Sequence, residues 1–191
     1  MKKILILFLL IVNSCVPVLK LYQGYSKPKP EDKTSLVRYL KKKKIKTDNI
    51  LVFKDSVSYK KIFREIHGVP ELRVFNNLGI LIYYRDTFES CSAPAYEFTK
   101  VICSSANLKS NDLKTIAIET KNLVTLDNQP VLISTAGDVD YYVFIYWMRA
   151  IGRLNKLKVK PWENNLNNVS GCKVRVYKVN MDWQKRWDEK K

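Results

Sequence analysis

Residues 140–162 read DYYVFIYWMRAIGRLNKLKVKPW. Within them, 141–146 form an unbroken run of β-branched and aromatic residues, the composition of a strand buried on both faces. Trp147 closes the run. A short segment carrying Gly152 follows, and then a basic stretch with helical character that contains Pro161. A buried strand passing through a tight turn into a helix predicts an α/β domain with this strand at its centre.

The same grammar holds on either side. Residues 50–53 read as a short strand. Asp55 or Ser56 caps a helix whose apolar face is Tyr59, Ile62, Phe63 and Ile66, at helical spacing, with Gly68 in the position just past its end. Glu71 to Phe75 and Ile80 to Tyr84 are two strands joined by the turn Asn76-Asn77-Leu78-Gly79. A loop over 86–93 carries Cys91. Pro94 then suits a first helical turn, and Ala95, Phe98 and Ile102 make a buried stripe down to Cys103. Leu113, Ile116, Ala117 and Thr120 predict a helix from 111 to about 124, and Val131 to Ser134 predict another strand. The alternation of Val174, Val176 and Val179 predicts a strand over 173–180, ending in Val179-Asn180-Met181-Asp182. Trp183 and Trp187 anchor the tail.

Two groups of these residues resemble thioredoxins. The strand, Trp147, the turn and a helix containing proline are laid out like a thioredoxin active-site segment, and the Val-Asn-x-Asp ending is similar too. The resemblance aligns Ile151-Gly152-Arg153-Leu154 with the turn that holds Cys-x-x-Cys in redox members. A strand, a helix, Gly68-Val69-Pro70, a strand, a glycine turn and a returning strand resemble the C-terminal half of the same fold. That likeness implies a cis Pro70 beside the redox site, with neighbouring backbone that holds an extended substrate. The part like the C-terminal half spans about 49–103, whereas the part like the N-terminal half spans about 131–187. Either the fold is permuted, or one likeness is the generic pattern of any α/β domain. Both predict an α/β, thioredoxin-like domain: a mixed central sheet flanked by helices.

The chain's start predicts export. Met1-Lys2-Lys3 and the apolar residues 4–12 form a charged and then a hydrophobic region of signal-peptide length, too short for a standard membrane span. Val12-Asn13-Ser14-Cys15 resembles the lipobox of bacterial lipoproteins, which implies acylation of Cys15 and cleavage before it; an ordinary signal peptide or an uncleaved anchor are the other readings. Residues 23–33, QGYSKPKPEDK, read as a tether, followed by a short helix with Leu36, Tyr39 and Leu40 on one side. The expected division is therefore 1–14 signal peptide, 15–48 anchored tether and short helix, and 49–191 domain. The protein would face the periplasm from a membrane of a bacterial cell envelope.

The chain carries 34 basic and 18 acidic residues, a net charge of +16. Such a balance favours anionic partners. With neither a nucleic-acid motif nor a phosphate-binding loop, anionic lipid is the expected one, and the run Lys41, Lys42, Lys43, Lys44 lies close to the anchor. Dithiol exchange at the aligned turn is excluded, because Ile151 and Leu154 stand where thiols are required. Cys91, Cys103 and Cys172 allow one structural disulfide, with no pairing selected, and Cys103 reads as the buried, inert member. His67, the lone histidine, reads as the charged end of a helix rather than part of a triad or zinc site. Asp138 and Asp140 read as a solvated turn, and Asp182 as a helix cap. No catalytic residue, metal or cofactor is expected. Pro70, Trp147, Arg149, Ile151, Arg153 and Asn155 are the candidate binding residues, with a protein partner at the degenerate turn. The expected role is binding or structural, the alternative an envelope thiol-disulfide enzyme using Cys91 or Cys172.

Overall fold

The computed structural model describes residues 24–84, 93–105, 108–135 and 137–188. They form a mixed α/β structure around one seven-stranded sheet. In chain order the elements are α1 (Lys33–Lys43), β1 (Ile50–Phe53), α2 (Ser56–Glu65), β2 (Glu71–Asn76), β3 (Ile80–Tyr83), α3 (Ala93–Val101), β4 (Lys109–Thr115), α4 (Ile116–Thr120), β5 (Leu123–Thr125), β6 (Tyr141–Trp147), α5 (Lys160–Asn168) and β7 (Val174–Asn180). A π-helical stretch, Asn155–Val159, leads into α5. Across the sheet the order is β4-β3-β2-β6-β7-β1-β5. Strand β6 runs parallel to β7 and antiparallel to β2, and β7 runs parallel to β1.

The run predicted to be a buried central strand is one. Its side chains alternate between two cores, as the two-residue period of a strand requires. Val143, Ile145 and Trp147 pack with α1, α3 and α5 through Leu36, Leu40, Phe98, Trp162 and Leu166. Tyr142, Phe144 and Tyr146 face the other way, onto Ile62 of α2, Phe53, Phe75 and Trp187. Each such side chain taken from water contributes about 1.5–3 kcal/mol, so β6 alone is a major source of stability.

Helix α1 ends on a left-handed Lys44, and its Leu36 and Leu40 are fully buried. The packed unit thus reaches back before Asn49, across the boundary expected from the sequence. The expected tether is docked from Gly24 onward: Glu31 makes a parallel bridge to Gln184 and is buried.

Three predicted elements differ. The helix expected from 111 to 124 is strand β4, one short helix and strand β5. β3 presents an open edge, and the polar segment KSNDLKT satisfies it, leaving Leu113 86% exposed. Residues 131–134 are extended but join no ladder; the neighbouring Pro130 makes only an isolated bridge to Val124. Helix α2 stops at Glu65 with Ile66 already extended, so Gly68 does not cap it and His67 lies beyond its end. The His67 amide instead donates to Glu71, 3.1 Å away.

Cys103 is not inert. It is bonded to Cys172 across a sequence separation of 69 residues. Cys172 is therefore not a free thiol, and Cys91 lies outside the described residues.

A second polar group sits under the sheet. Arg73 is buried and donates to both carboxylate oxygens of Glu119 at 2.9 Å. Glu65 and Glu71 lie at 3.6 and 3.7 Å from its guanidinium, and the Tyr146 hydroxyl also donates to Glu119. Burial pushes the Glu119 carboxyl up, and Arg73 opposes it.

Replacing both Cys103 and Cys172 by Ala should lower stability by about 4 kcal/mol, from loop-closure entropy over that separation; denaturant midpoints with and without reductant check this. Arg73→Met should cost about 3–5 kcal/mol by stranding buried carboxylates, and adding Glu119→Leu should recover part of the loss.

Candidate functional site

β6 and β7 run parallel and finish side by side, Trp147 opposite Asn180. The carboxyl ends of parallel strands are where open α/β sheets place their ligand sites. On the other flank, Glu71 pairs with Tyr146, so Pro70 stands one residue further on, level with Trp147. The Val69–Pro70 bond is cis, as the resemblance implied. From Trp147 the chain passes through a single 3-10 turn, Arg149–Ile151, to Gly152, whose φ of 55° is in the range that glycine tolerates best.

The six candidate residues therefore gather at one end of the sheet, and most of them are covered. Trp147 and Asn155 are fully buried, and Ile151 is 5% exposed. Tyr39 of α1 stacks on Trp147, rings 6.0 Å apart and nearly parallel. Its hydroxyl donates to the Gly152 carbonyl at 3.1 Å and accepts from Asn155 Nδ2 at 2.7 Å. Asn155 Nδ2 also reaches the Met148 carbonyl at 2.9 Å. Burial raises the Tyr39 pKa, and the Asn155 hydrogen bond opposes the rise.

The N-terminal segment completes the cover. Ser26 N–H donates to the Ala150 carbonyl at 2.9 Å, while Glu31 exchanges backbone hydrogen bonds with Trp183 and Lys185 at 2.7 and 3.0 Å. Arg149 Nη1 donates to both oxygens of the buried Glu31 carboxylate, at 2.7 and 2.9 Å. Its guanidinium lies 5.6 Å from the Tyr39 ring. Arg153 remains exposed, with Gly24 beside its backbone.

Under this cover lies Asp182. The residue expected to cap a helix caps the 3-10 turn instead: Oδ2 accepts from the Arg149 amide and from Asn180 Nδ2, both at 2.7 Å. Burial raises its pKa from 3.8 to about 6; those two hydrogen bonds oppose the shift, and the nearby Glu31 adds to it. Trp147 Nε1, Asn155 Oδ1 and Asp182 Oδ1 have no hydrogen-bond partner among the described residues.

No thiol occupies the turn, and no nucleophile touches Asp182. Among the described residues the arrangement is a buried polar network holding three chain segments together. Glu31 and Tyr39 are the residues that sequence reasoning did not assign here. Tyr39 was legible as an inward position of its helix, but Glu31 lies in a proline- and lysine-rich tract without periodicity. Cys15 lies outside the described residues. Among those residues no helix is long and apolar enough to cross a membrane, and no cluster of three or more His, Cys, Asp or Glu is placed to hold a metal ion. Two clefts of about 610 Å³ each flank 130–133, away from the six candidates. No protein-family model, no curated protein and no solved structure matches the chain.

Because the folded pKa of Asp182 exceeds that of an unfolded aspartate, folding takes up a proton between about pH 4 and 6. This contribution to stability is present in full below about pH 4 and lost as pH rises through 6. Relative to Asp182→Asn, the wild type should lose about 3 kcal/mol between pH 4 and 7. Denaturation midpoints of the two proteins across that range test it, and parallel curves would refute the raised pKa.

Proposed function

We propose that this chain is a lipid-anchored protein of a bacterial cell envelope. Its folded part is a thioredoxin-like domain, permuted and without redox activity, with a binding or structural role. The anchor rests on the signal-like start and on Val12-Asn13-Ser14-Cys15. The domain reading is supported by the sheet order β3-β2-β6-β7, built from one ββα unit and one βαβ unit, with the ββα unit first in the chain. A disulfide between Cys103 and Cys172 suits an oxidising compartment outside the cytoplasm.

One observation carries the non-catalytic reading. At the end of β6, where the resemblance expects two thiols, the turn holds Ile151 and Leu154, and Tyr39 and Glu31 close it over. A redox turn needs an accessible thiolate; this one has neither thiol nor access. Arg149 and Arg153 are the two candidate residues with exposed side chains, and they present cationic surface at the rim.

Two measurements test the reading. Fatty-acid labelling in a bacterial host should mark the wild type and vanish in Cys15→Ser; label that persists in the variant removes the anchor from that residue. Thiol titration of the oxidised protein should find Cys91 as the one reactive thiol, with an ordinary pKa and no reduction of a disulfide substrate. A thiolate persisting well below neutral pH would favour the thiol-enzyme alternative.

A further inference from the structure

Two stretches of this chain are rich in bases and free of acids. Residues 33–47 hold seven Lys or Arg and no Asp or Glu, and residues 149–162 hold five and none. They are far apart in sequence, yet Tyr39 joins them. Its hydroxyl contacts Gly152 and Asn155 in the second stretch, while Lys43 Nζ of the first lies 5.7 Å from its ring and the Arg149 guanidinium 5.6 Å. Tyr39 thus brings a cation of each stretch to its own ring and joins the two basic stretches at one place on the surface.

The acids nearest this patch are already engaged. Glu31 is buried against Arg149, Asp32 is paired with Lys185, and Asp182 is buried against the turn. Glu163, next in sequence, is buried against Lys178. Lys41, Lys42, Lys44, Lys46, Arg153 and Lys156 are exposed. Among them stands Leu157, 63% exposed. Arg153, Lys156 and Leu157 are exposed and Lys160 part-exposed along this stretch, whose Asn155 and Val159 are buried.

We propose that this composite face lies flat on an anionic phospholipid surface, with lysines 42, 43, 156 and 160 at the headgroups and Leu157 at the apolar boundary. Two features select lipid over nucleic acid. Gly24 lies beside Arg153, so this face is the part of the described structure nearest in sequence to residues 4–12 and Cys15. An exposed leucine amid lysines suits a bilayer interface, where apolar and cationic groups are both satisfied, better than a phosphate backbone. The inference deepens the anchored reading and rests on it for the direction of approach. A chain anchored through Cys15 would hold this basic face close to its own membrane.

The test uses the full chain on vesicles of phosphatidylcholine alone and of phosphatidylcholine with phosphatidylglycerol, read by flotation and by backbone hydrogen exchange. On phosphatidylglycerol, 38–46 and 153–160 should both gain protection, which molar salt should abolish. Each Lys→Gln change should weaken the phosphatidylglycerol-dependent binding by about fivefold. The combined variant K42Q/K43Q/K156Q/K160Q should lose at least about 100-fold, with exchange in β6 and β7 unchanged. Leu157→Gln should reduce binding to phosphatidylglycerol vesicles by a similar factor over the range of salt where binding is measurable, leaving the salt dependence unchanged. Equal protection on the two vesicle types would overturn the proposal, as would protection by single-stranded RNA with none on phosphatidylglycerol. A chain that floats only with phosphatidylglycerol would sink the anchor but sustain the basic face.

Discussion

Tyr39 stacked on Trp147 is the contact on which the rest of this structure depends. Trp147 ends the central strand and is fully buried there. Tyr39 supplies a parallel aromatic surface and, with its hydroxyl, bridges Gly152 and Asn155. One side chain thus fixes α1 to the sheet, orients the turn after β6 and closes the end where parallel strands most often receive a ligand. An aromatic pair adds about 0.5–1.5 kcal/mol beyond its burial. Its larger effect is geometric, since it orients α1, which the burial of Leu36 and Leu40 already holds against the sheet, over the turn after β6.

The polar groups packed around that contact are costly, and their arrangement shows how the cost is met. Glu31 is desolvated but receives two hydrogen bonds from Arg149 and one from Ser35 at 2.5 Å. Asp182 takes amide donors and still sits above its ordinary pKa, because those donors do not replace the water it has lost. The Arg73 group under the other face follows the same rule, with Arg73 and Lys114 set among Glu65, Glu71 and Glu119. Buried ion pairs are weak evidence for stability, since desolvation offsets much of their attraction. They do fix register: Arg149 can meet Glu31 in one docking of the N-terminal segment and Arg73 can meet Glu119 in one placement of α4.

The sequence disclosed what local pattern controls. An unbroken β-branched and aromatic run announced β6, alternation announced β7, and the glycine turn announced the β2–β3 hairpin. It did not disclose β4, because KSNDLKT has no apolar alternation and becomes a strand only through the open edge of β3. The helical spacing of Leu113, Ile116, Ala117 and Thr120 was real, yet Thr115 starts the helix late by accepting from the Ile118 amide. At the candidate site, five of the six named residues were local to the strand and its turn, and that locality made them legible. Tyr39 and Glu31 are more than a hundred residues away in the chain. A contact of that kind leaves no periodic trace in either partner, and neither does the Cys103–Cys172 pair.

That pair bears on the unusual order of the chain. The βαβ unit of β6, α5 and β7 comes last and the ββα unit of β2, β3 and α3 comes earlier, yet they share the middle of one sheet. The two units meet through the β2–β6 ladder, and a long stretch containing β4, α4 and β5 separates them in sequence. Closing so long a connection is an entropic cost that grows slowly with length but must be met before β6 can pair with β2. Cys103 follows α3 directly, and Cys172 directly precedes β7. Their bond therefore joins the end of one unit to the last strand of the other, restricting in the unfolded chain the separation that the β2–β6 ladder must overcome. The two units are thus joined by a covalent link far shorter than the stretch of chain that runs between them.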